Sequence, residues 1–105
     1  NPMGNMGNLL KQAQAMQAQM AKVQEETSSK TVTGTAGGGS VTVTATGAME
    51  LVGIAIDPEV VKSGDVEMVQ DLVLAASNDA LKKAREMMAG AMKSVTGGMN
   101  VPGMF

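Results

Sequence analysis

Residues 33–44 read Thr-Gly-Thr-Ala-Gly-Gly-Gly-Ser-Val-Thr-Val-Thr, three glycines between two segments rich in threonine and valine. β-Branched residues favour strands on both sides of the glycines. Phosphate-binding loops also use glycines, but they connect a strand to a helix and end in Gly-Lys-Ser/Thr in one common class. Here no lysine follows and the flanking segments are both strand-like. We therefore predict a β-hairpin loop with glycines at positive φ.

Three strands are predicted around this loop, at residues 31–36, 40–46 and 50–56 within a sheet spanning 31–56. Val41, Val43 and Ala45 alternate with threonines, which indicates a strand with one buried face. Residues 51–56 are more continuously apolar, and we predict that this strand is buried on both faces or nearly so. Because the connections are short, the strands form an antiparallel meander.

A long helix is predicted before the sheet, at residues 5–28. Its apolar residues are spaced three and four apart, as in the heptad seam of a coiled coil; they are Met6, Leu9, Ala13, Met16, Met20 and Val23. A helix of this length measures on the order of 30 Å, whereas a 100-residue globule has a radius of gyration of about 13 Å. We expect the helix to project from its domain or to lie along a partner; the alternative is packing on its own sheet.

A second long helix is predicted after the sheet, at residues 66–93. Asp57 and Pro58 suit the N-cap and first position of a short helical turn at residues 58–62, and Asp65 suits the N-cap of the long helix. Residues 94–105 are rich in glycine, carry no charge, and are predicted to be a flexible tail. The fold class is α+β, in a single domain of residues 1–105.

Composition argues against several classes of function. The 105 residues include no cysteine, histidine, tryptophan or tyrosine, and a single phenylalanine. The usual general base and the strongest nucleophile are therefore missing, and thiolate metal sites are excluded. We predict no enzymatic activity, no cofactor and no metal. No apolar run approaches the roughly 20 residues of a membrane span, so no membrane partner is expected.

The net charge of −2 is distributed unevenly along the chain. Residues 50–79 carry seven acidic side chains and one lysine, whereas both ends are basic. The basic residues that are candidates for contact with an anionic partner lie on the two long helices: Lys11, Lys22, Lys82, Lys83, Arg85 and Lys93. For those near the end of the second helix, the alternative reading is that they complement the helix dipole.

Several short motifs occur in a specific order along the chain: Gly7-Asn8-Leu9-Leu10-Lys11-Gln12-Ala13-Gln14, Ala36-Gly37-Gly38-Gly39, Ile56-Asp57-Pro58 and Ala75-Ala76-Ser77-Asn78-Asp79-Ala80. Together with the order of helices and strands, they resemble the YbaB/EbfC family of bacterial nucleoid-associated proteins. The resemblance implies a tweezer-like homodimer in the cytoplasm, associated with the nucleoid, whose projecting helices bind DNA. By position, it assigns DNA contact to the six basic residues named above.

Two functions from different classes follow. The first is a homodimer that binds double-stranded DNA mainly through phosphate contacts, with low sequence specificity, and contributes to nucleoid organisation or gene regulation. The scarcity of aromatic residues argues against stacking on single-stranded nucleic acid. The second is a protein-interaction module whose seam and methionine-rich surfaces bind recombination or repair proteins without direct contact to DNA. The acidic net charge favours the second function, and the resemblance favours the first.

Overall fold

A computed structural model describes residues 2–97, with side chains described from residue 6 onward. The elements are α1 (Pro2–Ser28), β1 (Thr31–Ala36), β2 (Val41–Thr46), β3 (Leu51–Ile56), α2 (Pro58–Lys62) and α3 (Val66–Gly97). This confirms the predicted α+β order. The second long helix ends at Gly97 rather than at residue 93, because Val95 and Thr96 are half-buried and continue its packing. The rest of the predicted tail, residues 98–105, lies outside the described residues.

The sheet is an antiparallel meander in the order β1-β2-β3. Thr33 pairs with Thr44, and Val43 pairs with Ile54. The β1–β2 connection is the glycine loop, in which Gly37, Gly38 and Gly39 have φ values of 63°, 68° and 95°. These left-handed conformations are the reason that glycine occupies the loop, and they confirm the predicted hairpin.

The core lies between α3 and the first two strands. Alternate residues of β2 are buried against three alanines of α3 that are spaced four residues apart; the six buried side chains are Val41, Val43, Ala45, Ala76, Ala80 and Ala84. The helix approaches the sheet so closely that a Cβ atom on Gly34 would overlap backbone atoms of Ala76 and Ala80. Small residues on both surfaces therefore determine the distance between the two layers.

The prediction that residues 51–56 are buried on both faces is wrong for the single chain. In β3, 57% of Val52 and 53% of Ile54 are exposed, and Leu51 is also exposed. The physical reason is that β3 is an edge strand, whereas α3 crosses β1 and β2 and scarcely contacts β3. A continuously apolar strand can be buried on both faces, but its sequence does not indicate whether its own chain or another molecule buries it.

Both helices that follow the sheet begin at the predicted caps. The Asp57 carboxylate accepts a hydrogen bond from Glu59 N at 3.0 Å, and Pro58 occupies the first turn of α2. The Asp65 carboxylate accepts a hydrogen bond from Met68 N at 3.0 Å at the start of α3. Each carboxylate satisfies a backbone donor that the helix itself leaves without a partner.

The molecule is elongated, with principal extents of 75 × 25 × 16 Å and a radius of gyration of 20.6 Å. A compact chain of this length would have a radius of gyration of about 13 Å. The elongation comes from α1 and the C-terminal half of α3, which run antiparallel and contact each other away from the sheet. We call residues 6–24 and 81–97 the arm, and residues 25–80 the body.

Candidate nucleic-acid interface

The arm is built on the predicted seam of α1. Met16, Met20 and Val23 are half-buried on the face of α1 that packs on α3, and Met16 lies in the same hollow as Val95. Three further seam residues nearer the start of α1, Met6, Leu9 and Ala13, are exposed. Within one chain, therefore, only the second half of the seam, from Met16 to Val23, packs on α3.

Three basic residues of α3 project from the arm on one side. Lys82, Arg85 and Lys93 are exposed, and their positions place them opposite the face that carries Ala76, Ala80 and Ala84. Lys82 and Lys93 are separated by eleven residues, or about 16 Å along the helix axis. The packing of the alanines on the sheet therefore directs these cations towards solvent.

The two lysines of α1 are arranged in the same way. Lys11 and Lys22 are exposed, and they too lie eleven residues apart on one side of their helix. Neither makes an ion pair with a described residue. Each helix of the arm thus presents one pair of lysines, Lys11 with Lys22 and Lys82 with Lys93, at a separation of about three turns.

Lys83, the sixth predicted basic residue, differs from the others because it makes an ion pair with Asp79. The Lys83 Nζ atom lies 3.2 Å from Asp79 Oδ2, and the same carboxylate oxygen accepts a hydrogen bond from Thr35 N at 3.0 Å. The bond from the Thr35 backbone, followed by the contact with Lys83, lowers the pKa of Asp79 below its ordinary value. Lys83 is therefore partly engaged by the protein itself.

Sequence reasoning did not assign a role to Asp79. The pattern places it on α3 beside Asn78 and suggests a solvated side chain, but the carboxylate reaches the outer edge of β1. Its spacing of four residues from Lys83 was a visible signal for the ion pair. The contact with Thr35 joins residues 44 positions apart, and nothing in the local sequence indicates it.

Charge is segregated between the arm and the body. The arm carries six basic residues and one acidic residue, whereas the body carries nine acidic residues and two lysines. Lys62 of the body makes an ion pair with Glu59 at 3.5 Å, and Lys30 lies at the turn after α1. The basic arm and the acidic body therefore produce electrostatic potentials of opposite sign at the two ends of the molecule.

Other kinds of site find less support among residues 2–97. No group of three or more acidic side chains in this range has the arrangement needed to hold a metal ion. A shallow hollow lined by Asp65, Glu67 and Asp71 lies at the start of α3. None of the described helices has the length and hydropathy needed to cross a membrane.

Comparison with known proteins gives consistent results over nearly the whole chain. The pattern of the YbaB/EbfC DNA-binding family matches residues 3–99. A nucleoid-associated protein of Caldanaerobacter subterraneus is 55% identical over 101 residues, which cover 96% of this chain and 91% of the relative. A nucleoid-associated protein of Clostridium novyi is 57% identical over 101 residues, covering 96% of this chain and 89% of the relative.

A solved structure shares the fold. The crystal structure of an uncharacterized protein from Helicobacter pylori superposes with a TM-score of 0.61 at 28% sequence identity. The superposition covers 74% of this chain and 90% of the other. The arrangement of helices around a three-stranded meander is therefore found at a level of identity well below that of the other relatives.

Proposed function

The chain belongs to the YbaB/EbfC DNA-binding family, and on that premise we propose that it binds double-stranded DNA as a homodimer, through its arms, in the nucleoid of the bacterial cytoplasm. The proposed contacts are mainly to phosphates and have low sequence specificity, so that binding contributes to nucleoid organisation or gene regulation. The observation that carries the proposal is the segregation of charge, with six of the eight basic residues on the arm.

The arm is suited to phosphate contact. Lys11, Lys22, Lys82 and Lys93 are exposed, and none makes an ion pair with a described residue. Lysine ammonium groups bind phosphates as mobile point charges and do not by themselves distinguish bases. The arm has no aromatic side chain for stacking, and this favours a duplex over a single strand.

The homodimer is supported by the uncovered surface of β3. Leu51, Val52 and Ile54 are exposed on an edge strand that contains neither a charge nor a proline. Such an edge is a template for pairing with another strand. At the opposite edge, one backbone donor of β1, Thr35 N, already donates a hydrogen bond to the Asp79 carboxylate. Pairing of β3 with β3 of a second copy about a twofold axis gives a closed dimer rather than a fibre.

The same apolar surface is also the observation that favours the second function. A protein-interaction module acting with recombination or repair proteins would use β3 to bind a partner protein and would leave DNA contact to that partner. The basic arm has no role in this alternative. Direct binding of purified protein to naked duplex separates the two functions.

The test is fluorescence anisotropy of a labelled duplex across a salt series. We expect the logarithm of the binding constant to fall linearly with the logarithm of salt concentration, with a slope of about 0.9 for each phosphate contact. Replacing two cations by Lys82→Gln with Lys93→Gln should reduce the slope by about 2 for each protomer in contact with the duplex.

The matched control is Lys62→Gln, which removes an exposed lysine from the acidic body and should leave the slope unchanged. Unchanged affinity and slope in the arm variant would place the DNA contacts elsewhere. Absence of binding at low salt by the folded wild-type protein would support the protein-interaction module instead.

A further inference from the structure

The part of α1 that belongs to the arm is rich in glutamine. Five of the six glutamines of the protein lie between residues 12 and 24 of this helix, and all five are exposed. The first acidic residue of the chain is Glu25, so no carboxylate within this stretch repels phosphates. Because glutamine is also a good helix former, the helical positions of these side chains, rather than their abundance, indicate what each of them can reach.

The glutamines of α1 lie on two different sides of the helix. At about 3.6 residues per turn, Gln14, Gln17 and Ala21 follow one line along the axis, which we call the glutamine line. It lies about a third of a turn from the face that packs on α3, and about a third of a turn from the two lysines of α1. By contrast, Gln12 and Gln19 lie beside α3, where they line a hollow between the two helices of the arm.

We propose that the glutamine line faces the floor of the DNA major groove and recognises adenine, so that the arm prefers duplexes that contain A·T pairs. The inference rests on the proposed DNA binding and adds the feature of the duplex that the arm distinguishes. A glutamine amide N–H donates a hydrogen bond to adenine N7, while its Oε1 accepts one from the adenine N6 amino group. The methyl group of Ala21 suits contact with the thymine methyl group.

The dimensions of α1 match those of the groove. An α-helix with its side chains is about 10–12 Å across, and the major groove of B-DNA is about 12 Å wide. Gln14 and Gln17 are about 4.5 Å apart along the helix axis, which is close to the rise of about 3.4 Å between neighbouring base pairs. Two neighbouring base pairs are therefore within reach of these two glutamines.

Cations flank the glutamine line at the same level of the arm. Lys11 and Lys22 lie to one side, exposed and without an ion pair to a described residue. The other side is occupied by α3, on which the exposed Lys93 lies two residues from Val95, beside Met16. A helix that faces the groove floor has a phosphate backbone on each side. The lysines are thus placed for the phosphates of both strands, and the uncharged amides are left for the bases.

Two glutamine contacts produce a preference among duplexes rather than strict specificity. One well-formed bidentate contact between an amide and adenine discriminates against the wrong base by about fivefold or more. The phosphate contacts of several lysines contribute far more to the affinity, and they do so for every sequence. A modest preference for A·T pairs therefore agrees with the low sequence specificity of the proposed function.

The test compares two duplexes of equal length that differ only in the major groove. One has an alternating A·T sequence, and in the other every adenine is replaced by 7-deazaadenine, which lacks the N7 acceptor but still pairs with thymine. Fluorescence anisotropy with the full-length protein should show binding to the modified duplex that is weaker by about fivefold or more. The salt dependence should be the same for both duplexes, because the number of phosphate contacts does not change.

Two double variants with the same change in composition assign the preference to one side of α1. Gln14→Ala with Gln17→Ala should bind the two duplexes equally and keep the salt dependence of the wild type, since no charge is removed. The matched control is Gln12→Ala with Gln19→Ala, which removes two amides from the side of α1 beside α3. It should keep the wild-type preference for the unmodified duplex.

The outcomes separate this inference from the proposed function. Salt-dependent binding of the wild-type protein with equal affinity for both duplexes would overturn the inference and leave the proposed function intact. The inference would also be wrong if Gln14→Ala with Gln17→Ala kept the preference, or if the control variant lost it to the same extent. Absence of binding to either duplex would overturn both.

Discussion

At Gly34, the sheet and α3 approach each other so closely that only a hydrogen atom fits in the place of a side chain. A Cβ atom there would overlap backbone atoms of Ala76 and Ala80, which belong to a helix and cannot rotate away. The three buried alanines of α3 are the other half of the same contact. Close packing of backbones gives dense contact without large side chains, and this explains how a chain with one aromatic residue forms a core.

The first prediction tests this contact. Gly34→Ala should lower the free energy of unfolding by about 1–3 kcal/mol, because the added methyl group forces α3 away from the sheet. Urea denaturation measures the change. The control is Gly90→Ala, which lies in α3 with open space around it and should be neutral or stabilising by up to about 1 kcal/mol. If Gly34→Ala were as stable as wild type, α3 would be able to move away from the sheet without loss of stability, and the close contact would not be required.

Asp79 connects α3 to β1 and holds a lysine of the arm through one carboxylate. It lies on α3, accepts a hydrogen bond from Thr35 on β1, and makes an ion pair with Lys83 at the base of the arm. Because these contacts favour the charged form, the pKa of Asp79 is lower in the folded protein than its ordinary value of 3.8.

The second prediction concerns pH. The stabilisation from Asp79 is complete above pH 3.8 and is lost as the pH falls through the lowered folded-state pKa, since protonation removes the preference for the folded state. Asp79→Asn should therefore lower the melting temperature near neutral pH and have a smaller effect in acid below that pKa. Thermal melts of both proteins across this range provide the measurement. An equal difference at all pH values would mean that the charge of Asp79 is not responsible.

At the scale of elements, the seam of α1 has two different surroundings. Its second half packs on α3, while its first half extends beyond the last described residue of α3. An isolated helical segment of this length is marginal in water, so the packed half supports the free half. The position of Lys11, at the junction, depends on that support.

The third prediction is that Met16→Asp separates the two helices of the arm. A charge placed on the half-buried face opposes packing on α3, so hydrogen exchange should accelerate at residues 6–24 and 88–97. The body should keep its protection, because its core is formed by the sheet and the alanines. Gln14→Asp, on the exposed side of α1, is the control. Unchanged exchange in the arm would mean that Met16 does not hold the helices together.

At the scale of the whole molecule, an acidic body and a basic arm have separate tasks in the proposed function. The arm attracts the phosphate backbone, and the body is proposed to associate with a second copy through β3. Two acidic bodies repel each other, so salt should strengthen association of the protein while it weakens binding to DNA. The two activities therefore have opposite dependences on ionic strength.

The fourth prediction is that Ile54→Asp weakens the homodimer. Two half-exposed isoleucines are lost for each dimer, and two charges are introduced, so we expect a cost of about 2 kcal/mol or more and a dissociation constant raised more than tenfold. Analytical ultracentrifugation gives the measurement. The control is Gln70→Asp, which introduces the same charge at an exposed position of α3 and should leave the dissociation constant of the dimer unchanged. A dimer of unchanged affinity would place the interface away from β3.

Much of the fold is predictable from the sequence because its signals are local. Alternation in β2, the heptad spacing in α1 and the caps at Asp57 and Asp65 each act within a few residues. The basic residues were predictable as a set for the same reason, since their exposure follows from the apolar face of each helix. The hydrogen bond from Thr35 N to Asp79 was not predictable, because it joins residues 44 positions apart on two different elements.

The sequence by itself determined the elements, the glycine hairpin, the membership of a DNA-binding family and the uneven charge along the chain. Periodicity, φ preferences and the order of residues are sufficient for these. Only the tertiary structure decided that β3 is an uncovered edge, that Asp79 accepts a hydrogen bond from Thr35 of β1, and that the seam of α1 extends beyond the last described residue of α3. Each of these depends on how two elements that are far apart in the sequence are placed relative to each other. Local sequence patterns contain no information about that placement.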